Sequence, residues 1–135
     1  SPTNIDERIE VIKRRYAYEN DHEAFIAHWQ SEDATLRARI VAARAALADL
    51  QTADSALRRV AELCIALGSD GLRGELTLLK AARAFAAFAG DQAVTDEHIR
   101  KTAVLALRHR LRRDPLDESG SSSRVARTVS EILGD

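Results

Sequence analysis

The sequence predicts an all-α protein, a helical bundle with one long projecting helix. Its 135 residues are dominated by Ala, Leu, Arg and Glu, which favour helices, and only Pro2 and Pro115 interrupt the chain. No segment alternates polar and β-branched residues in the way that a half-buried strand would. Apolar residues recur instead at spacings of three and four, which is the period of an amphipathic helix.

The first predicted helix spans about residues 4–18. Asn4 can accept a hydrogen bond from the first turn, and Asp6 and Glu7 are acids at the positive end of the helix dipole. The apolar residues fall on one stripe of this helix, at helical spacing. They are Ile5, Ile9, Ile12 and Tyr16.

The second predicted helix is long, from about residue 22 to residue 50, after a break at Asn20 and Asp21. If it is continuous it extends over roughly 45 Å, because each residue rises about 1.5 Å. The polar residues 30–33 are the place where it could bend. Its apolar positions form a first patch and then a seam with coiled-coil spacing. They are Phe25, Ile26, Trp29, Leu36, Ile40, Ala43, Leu47 and Leu50.

The third predicted helix begins at Thr52 or Asp54 and stops at Gly68, because glycine accepts the left-handed conformation at a helix end. Its inward side chains are expected to be Leu57, Val60, Ala61, Cys64 and Leu67. Ser69 and Asp70 then cap a fourth helix that runs to about residue 90. From residue 76 onward this helix is apolar nearly all round, so we expect it at the centre of the bundle. Its polar interruptions are Lys80 and Arg83.

The fifth predicted helix is capped by Thr95 and ends at Asp114 and Pro115. Its buried face is expected to contain Ile99, Ala103, Ala106 and Leu107. Residues 116–123 are rich in Gly and Ser, which predicts a flexible linker, and a short final helix follows over residues 124–133. We therefore expect a helical domain over residues 1–115, followed by a linker and a short C-terminal helix over residues 116–135.

The balance of charge and the cysteine content exclude several classes of protein. Lys and Arg number 20 against 21 Asp and Glu, so the net charge of -1 gives no general attraction to nucleic acid or to an anionic membrane. Cys64 is the single cysteine, so neither an internal disulfide nor a cysteine zinc cluster can form. No apolar run is long enough to span a bilayer. The sequence has no methionine, even at position 1, and we expect a fragment of a longer cytoplasmic protein.

A complete catalytic set is not recognisable in this sequence. The glycine-rich residues 68–74 lack the Lys-Ser/Thr pair of a phosphate-binding P-loop, and they follow a helix instead of a strand. No metal site is predicted, because the histidines are scattered and each is best interpreted as an ordinary surface residue. They are His22, His28, His98 and His109.

Arg73 is the residue that an ordinary structural role explains least well. It lies in the first turn of the fourth predicted helix, where the helix dipole disfavours a cation. A bound anion would explain it, because free backbone N–H groups also favour an anion there. The neighbouring Gly71 and Gly74 would permit close approach of a ligand. The alternative, which the residues alone favour, is an exposed arginine paired with Glu75 or Asp70.

A second cationic feature extends over residues 100–113, which contain no acid. Such a stretch suits the negative C-terminal end of a helix, or it forms a contact surface for phosphate, nucleic acid or an acidic neighbour. Without interleaved aromatic residues, single-stranded nucleic acid is a poor candidate. The basic residues are Arg100, Lys101, Arg108, His109, Arg110, Arg112 and Arg113.

Residues 63–79, and above all the block of residues 70–79, closely resemble the lid of magnesium chelatase I subunits. Residues 8–12, 107–117 and 124–129 are similar to the same family. The resemblance covers essentially the whole chain, is looser over residues 28–56, and leans toward the bacteriochlorophyll branch. It implies the helical lid of an AAA+ ATPase, in which Arg73 is the sensor-2 arginine that reaches the terminal phosphate of the nucleotide.

The resemblance also implies cofactors and partners for the full-length protein. These are ATP and Mg²⁺, a hexameric ring of identical subunits, the chelatase D subunit, and the H subunit with protoporphyrin IX, into which Mg²⁺ is inserted. The fragment alone is expected to bind no cofactor and to be inactive. The alternatives are a scaffold lid of another AAA+ protein or of the D subunit, and a small nucleic-acid binder that uses residues 100–113.

Overall fold

The chain folds almost entirely into helices, as predicted. A computed structural model describes residues 3–69, 71–111, 115–116 and 120–135, and this part of the chain contains no strand beyond two isolated bridges. A single 3-10 turn, Leu47–Asp49, follows the second helix. The described residues form six α-helices: α1 (Ile5–Asn20), α2 (His22–Ala46), α3 (Asp54–Ala66), α4 (Arg73–Ala89), α5 (Asp96–Leu107) and α6 (Ser121–Leu133).

The chain divides into two compact units, residues 1–40 and residues 41–135. The division falls within α2, whereas the sequence led us to expect a boundary after residue 115. The reason lies in α6, which packs on α3 and α5 of the second unit. Val125 and Val129, one helical turn apart, are both buried in the core. Of the predicted linker, residues 117–119 lie outside the described part of the chain, and α6 begins at Ser121.

In the first unit, two caps set the ends of the helices. The backbone N–H of Asp6 donates to Oδ1 of Asn4 at 2.8 Å, which confirms Asn4 as the cap of α1. Asp21 has an extended backbone and ends α1, and its own Oδ1 accepts from the N–H of Ala24 at 3.1 Å. One aspartate therefore terminates α1 and caps α2, as expected for a residue that hydrogen-bonds its neighbouring backbone.

The apolar stripe on α1 is exposed in this chain. Ile5 is 74% exposed, and α1 and α2 contain no buried residue in their described parts. Along the predicted seam of α2, Leu36 and Ile40 are also exposed, and burial begins only near Leu50. Helical structure continues through residues 30–33 without a break and ends at Ala46, earlier than predicted.

The core of the second unit is formed by α3, α4, α5 and α6. Fully buried side chains meet here from each of the four helices, including Leu63, Leu78, Ile99 and Val125. Within the described residues α4 packs on α3 and α5 but not on α6, and its Leu76 is 54% exposed. The expectation that α4 lies at the centre is therefore wrong: α3 and α5 each contact all three of the other helices.

Arginine side chains stabilise the irregular parts of this unit. The guanidinium of Arg83 donates to the carbonyl oxygens of Leu47 at 2.9 Å and Leu50 at 3.2 Å, and also to the hydroxyl of Thr52. Arg100 donates to the carbonyl of Leu133 at 3.0 Å, near the end of α6. The two arginines thus supply side-chain donors to carbonyl groups at or near the ends of helical segments.

His98 is buried, which corrects the interpretation of all four histidines as surface residues. Its Nδ1 accepts from the backbone N–H of Thr95, the cap residue of α5, at 2.9 Å. Nδ1 therefore carries no proton, and the Nε2–H of the neutral ring donates to the Asp91 carboxylate at 2.7 Å. The histidine replaces the glutamate or glutamine of a capping box and holds the start of the helix.

None of the described helices combines the length and the apolar composition that crossing a membrane would require.

Candidate anion-binding site

The turn between α3 and α4 brings Arg73 to the start of a helix. Gly68 adopts φ 64° just after α3 and Gly71 adopts φ 59°, conformations that favour glycine. The expected stop at Gly68 is thereby confirmed. The cap residue of α4 is Leu72, with no side-chain hydrogen bond, so the prediction that Ser69 caps this helix is wrong. Asp70, the other predicted cap, lies outside the described residues.

Arg73 is the first residue of α4, and its side chain is exposed. Among the described residues it forms no ion pair, so the alternative pairing with Glu75 is not observed. The carboxylate of Glu75 instead turns inward, where its Oε2 is buried without a hydrogen-bond partner. A cation thus lies at the positive end of a helix dipole with no carboxylate of the described chain to neutralise it.

Arg73 lines a concave site of about 320 Å³ together with three other residues, Gly74, His109 and Arg110. Two guanidinium groups and an imidazole line this concavity, and no acidic residue of the described chain does. Nε of Arg108 donates to Nε2 of His109 at 3.1 Å, so the neutral imidazole keeps its proton on Nδ1 and remains a donor. The combination of cations and N–H donors is suited to an anion such as phosphate.

The structure divides the basic residues 100–113 into parts with different roles. Arg100 and Lys101 both pair with Glu97 on the same helix, so they belong to a local network. His109 and Arg110 lie beyond the end of α5 and join Arg73 at the concave site. Arg112, Arg113 and Asp114 lie outside the described residues, and α5 ends at Leu107, before the predicted stop.

A backbone contact explains why these two segments meet. Ser69 in the turn before α4 and Leu111 after α5 form an isolated antiparallel bridge. The N–H of Arg110 also donates to the carbonyl of Leu107 at 2.9 Å, which fixes the turn that carries Arg110. Leu111 packs against the core of the second unit. The positions of Arg73 and Arg110 are therefore set by backbone pairing and by packing.

Close packing behind Arg73 requires a glycine at residue 74. A Cβ added at Gly74 would lie 2.2 Å from Oγ of Ser69 and 3.6 Å from Sγ of Cys64. The start of α4 therefore lies directly against the end of α3. The hydroxyl of Ser69 is itself buried without a hydrogen-bond partner, so it has little room to move aside.

Replacement of Gly74 by alanine should destabilise the chain by about 1 to 2 kcal/mol, since the cost of overpacking exceeds the gain in helix propensity. Chemical denaturation measures this change in the free energy of unfolding. Adding Ser69→Ala to the same chain should recover most of the loss, because the clashing hydroxyl is then removed. A Gly74→Ala variant as stable as the parent would contradict this account.

Cys64 lies under the same turn and is fully buried. Burial, and secondarily the negative charge of Glu75, raise the pKa of its thiol from 9.0 to about 11. The uncharged thiol is the form that the fold favours, so Cys64 is expected to be a packing residue.

We expect Cys64 to resist thiol reagents at pH 8 and to react only when the chain unfolds, because the thiolate is both rare and inaccessible. Because the folded pKa lies above the unfolded one, the thiol's contribution to stability is complete below pH 9 and is lost as the pH rises toward 11. Labelling with a chromogenic disulfide, with and without denaturant, measures the first effect. Rapid labelling of the folded chain would show that the thiol is accessible.

Comparisons with known proteins agree with the resemblance of the sequence to magnesium chelatase I subunits. The magnesium-chelatase 38 kDa subunit of Cereibacter sphaeroides is 61% identical over 133 residues, which are 98% of this chain and 40% of that protein. The subunit of the same name from Rhodobacter capsulatus is 53% identical over 133 residues, 98% of this chain and 38% of that protein. The chain thus spans about 40% of the length of these curated relatives.

A solved structure that models the complex between subunits BchI and BchD of magnesium chelatase is 44% identical. The match covers 98% of this chain and 38% of that one, with a TM-score of 0.45. A family model described as the AAA lid domain matches residues 57–131, which include α4, α5, the concave site and most of α6. This chain belongs to the AAA lid domain family.

Proposed function

We propose that this chain is the lid of an ATPase subunit of magnesium chelatase, and that Arg73 contacts the terminal phosphate of the bound nucleotide. The observation that carries the proposal is an exposed cation at the start of α4, unpaired among the described residues, in a concave site that no acidic residue of the described chain lines. Such a group is unfavourable next to the helix dipole until an anion binds.

An arginine is well suited to this contact. Its guanidinium stays charged at every physiological pH and can donate two parallel hydrogen bonds to one phosphate. The contact through Arg73 between the lid and the nucleotide would be stronger when the terminal phosphate is present than when it is absent. The lid could therefore change position when ATP is hydrolysed, which is a common way in which nucleotide state is converted into movement.

In the whole protein we infer that this lid serves ATP-driven insertion of Mg²⁺ into protoporphyrin IX, on the way to (bacterio)chlorophyll. The partners would be identical subunits in a hexameric ring, the D subunit, and the H subunit that holds the porphyrin. High identity to two magnesium-chelatase 38 kDa subunits supports this inference. We infer that the P-loop and the residues that bind Mg²⁺ lie in other parts of the whole protein, because these 135 residues contain no P-loop sequence, and the chain alone should therefore not hydrolyse ATP.

The test is the ATPase rate of the full-length protein with Arg73→Ala, compared with Arg58→Ala, an exposed arginine on α3. Loss of hydrolysis in the first variant alone supports the proposal. Equal, normal rates in both variants would refute the role of Arg73, whereas a parent protein that hydrolyses no ATP would favour the alternative of a scaffold lid in another AAA+ protein or in the D subunit.

A further inference from the structure

We propose that Arg110 is a second phosphate-binding residue, which shares one anion with Arg73. This inference rests on the proposed function, since the anion would be the phosphate chain of the nucleotide. It adds a residue from the segment after α5 to a site that would otherwise depend on α4 alone. Both side chains line the same concavity of about 320 Å³.

The first argument is that the meeting of the two arginines is built into the fold. Arg73 begins α4 and Arg110 follows α5, and these two helices pack against each other. The Ser69–Leu111 bridge then joins the turn before Arg73 to the residue after Arg110. The bridge therefore holds side by side the two segments that carry Arg73 and Arg110.

The second argument is the charge of the site. Two guanidinium groups line one concavity, and neither forms an ion pair with a described residue. Like charges held close together repel each other, and the repulsion is removed when an anion binds between them. By contrast Arg100, which lies within α5, pairs with Glu97 and donates to the carbonyls at the end of α6.

The third argument is that the site also offers neutral donors. Nε2 of His109 accepts a hydrogen bond from Arg108, which leaves the Nδ1–H of the neutral ring free to donate. The start of α4 carries no side-chain cap, so its first backbone N–H groups are available beside Arg73. A phosphate chain has several charged oxygens and can use both arginines and these donors together.

The experiment titrates the isotopically labelled 135-residue chain with tripolyphosphate, and follows the guanidinium Nε–H signals by NMR. We expect the signals of Arg73 and Arg110 to shift together with one dissociation constant. Arg110→Ala should weaken tripolyphosphate binding about tenfold or more, because a hydrogen bond to a charged group is lost. Arg110→Lys should recover part of the affinity, and Arg58→Ala should change nothing.

A shift at Arg73 without one at Arg110, no shift at either, or an Arg110→Ala variant that binds as tightly as the parent would each overturn the inference. The same variants in the full-length protein separate it from the proposed function. If Arg73→Ala abolishes hydrolysis while Arg110→Ala leaves ATP affinity unchanged, only the role of Arg110 is refuted. If both arginines bind tripolyphosphate but the full-length Arg73→Ala protein hydrolyses ATP at the normal rate, the anion site is supported and the proposed function is refuted.

Discussion

Replacement of Arg73 by alanine in the full-length protein should lower the rate of ATP hydrolysis by roughly 10²- to 10³-fold, the usual cost of removing one electrostatic donor from a developing charge. The fold should be unaffected, because the side chain is exposed and forms no ion pair with a described residue. Steady-state phosphate release measures the rate, and thermal unfolding of the 135-residue chain measures the stability.

Two further variants make this result specific. Arg73→Lys keeps the charge but loses the two-pronged geometry of the guanidinium, so it should retain only part of the activity. Arg58→Ala removes the same side chain from an exposed position on α3 and should behave as the parent. Normal turnover by Arg73→Ala would remove Arg73 from the mechanism and leave the arginine at this helix start unexplained.

Replacement of Val125 by aspartate should destabilise the chain by about 4 kcal/mol or more, a large part of the stability of an ordinary domain. Val125 is fully buried between α6 and the rest of the second unit, so a carboxyl group there would lose its water without gaining a partner. The midpoint and slope of urea denaturation, followed by circular dichroism, measure the effect.

The neighbouring residue supplies a matched control. Ala126→Asp introduces the same group one position further along α6, where the side chain is exposed, and should cost no more than about 1 kcal/mol of helix propensity. If the two variants are equally stable, then α6 does not belong to the core, and a separate C-terminal segment beginning at residue 116 would again be the better description.

Local chemistry was sufficient to predict most of the helices. Asn4, Asp21 and Gly68 end or cap helices at the positions expected, because each acts on its own neighbouring backbone. The end of α5 was placed too late because the basic residues after Leu107 are compatible with a helix, and only the Ser69–Leu111 bridge shows where the chain turns away. Helix propensity is a local property, so it does not predict tertiary contacts of this kind.

Burial was harder to predict than helix formation. The stripe on α1 has the spacing of a buried face, yet Ile9 and Ile12 are exposed in this chain. A periodic stripe predicts an apolar face, but it carries no information about what covers that face. His98 shows the opposite error: a residue that is usually exposed is buried because Thr95 and Asp91 satisfy both of its ring nitrogens.

Half of the candidate site could be inferred from the sequence. The charge of Arg73 conflicts with the helix dipole, but the residues alone favoured an ordinary exposed arginine, and the phosphate contact was implied only by the resemblance to magnesium chelatase I subunits. Arg110 and His109 were assigned to a general basic surface, since they lie far from Arg73 along the chain. The information was present in part: α4 and α5 are consecutive helices with a short connection, and such helices pack antiparallel, so the start of one meets the end of the other.

The pairing of Ser69 with Leu111 links the turn before α4 directly to the chain just after α5. A displacement of the turn before α4 would therefore also move the chain just after α5, without first tilting α4 or α5. A force that a bound ligand exerts on Arg73 would therefore act both on the start of α4 and on the chain just after α5. The helices of such a lid would move together as one body and not independently of one another.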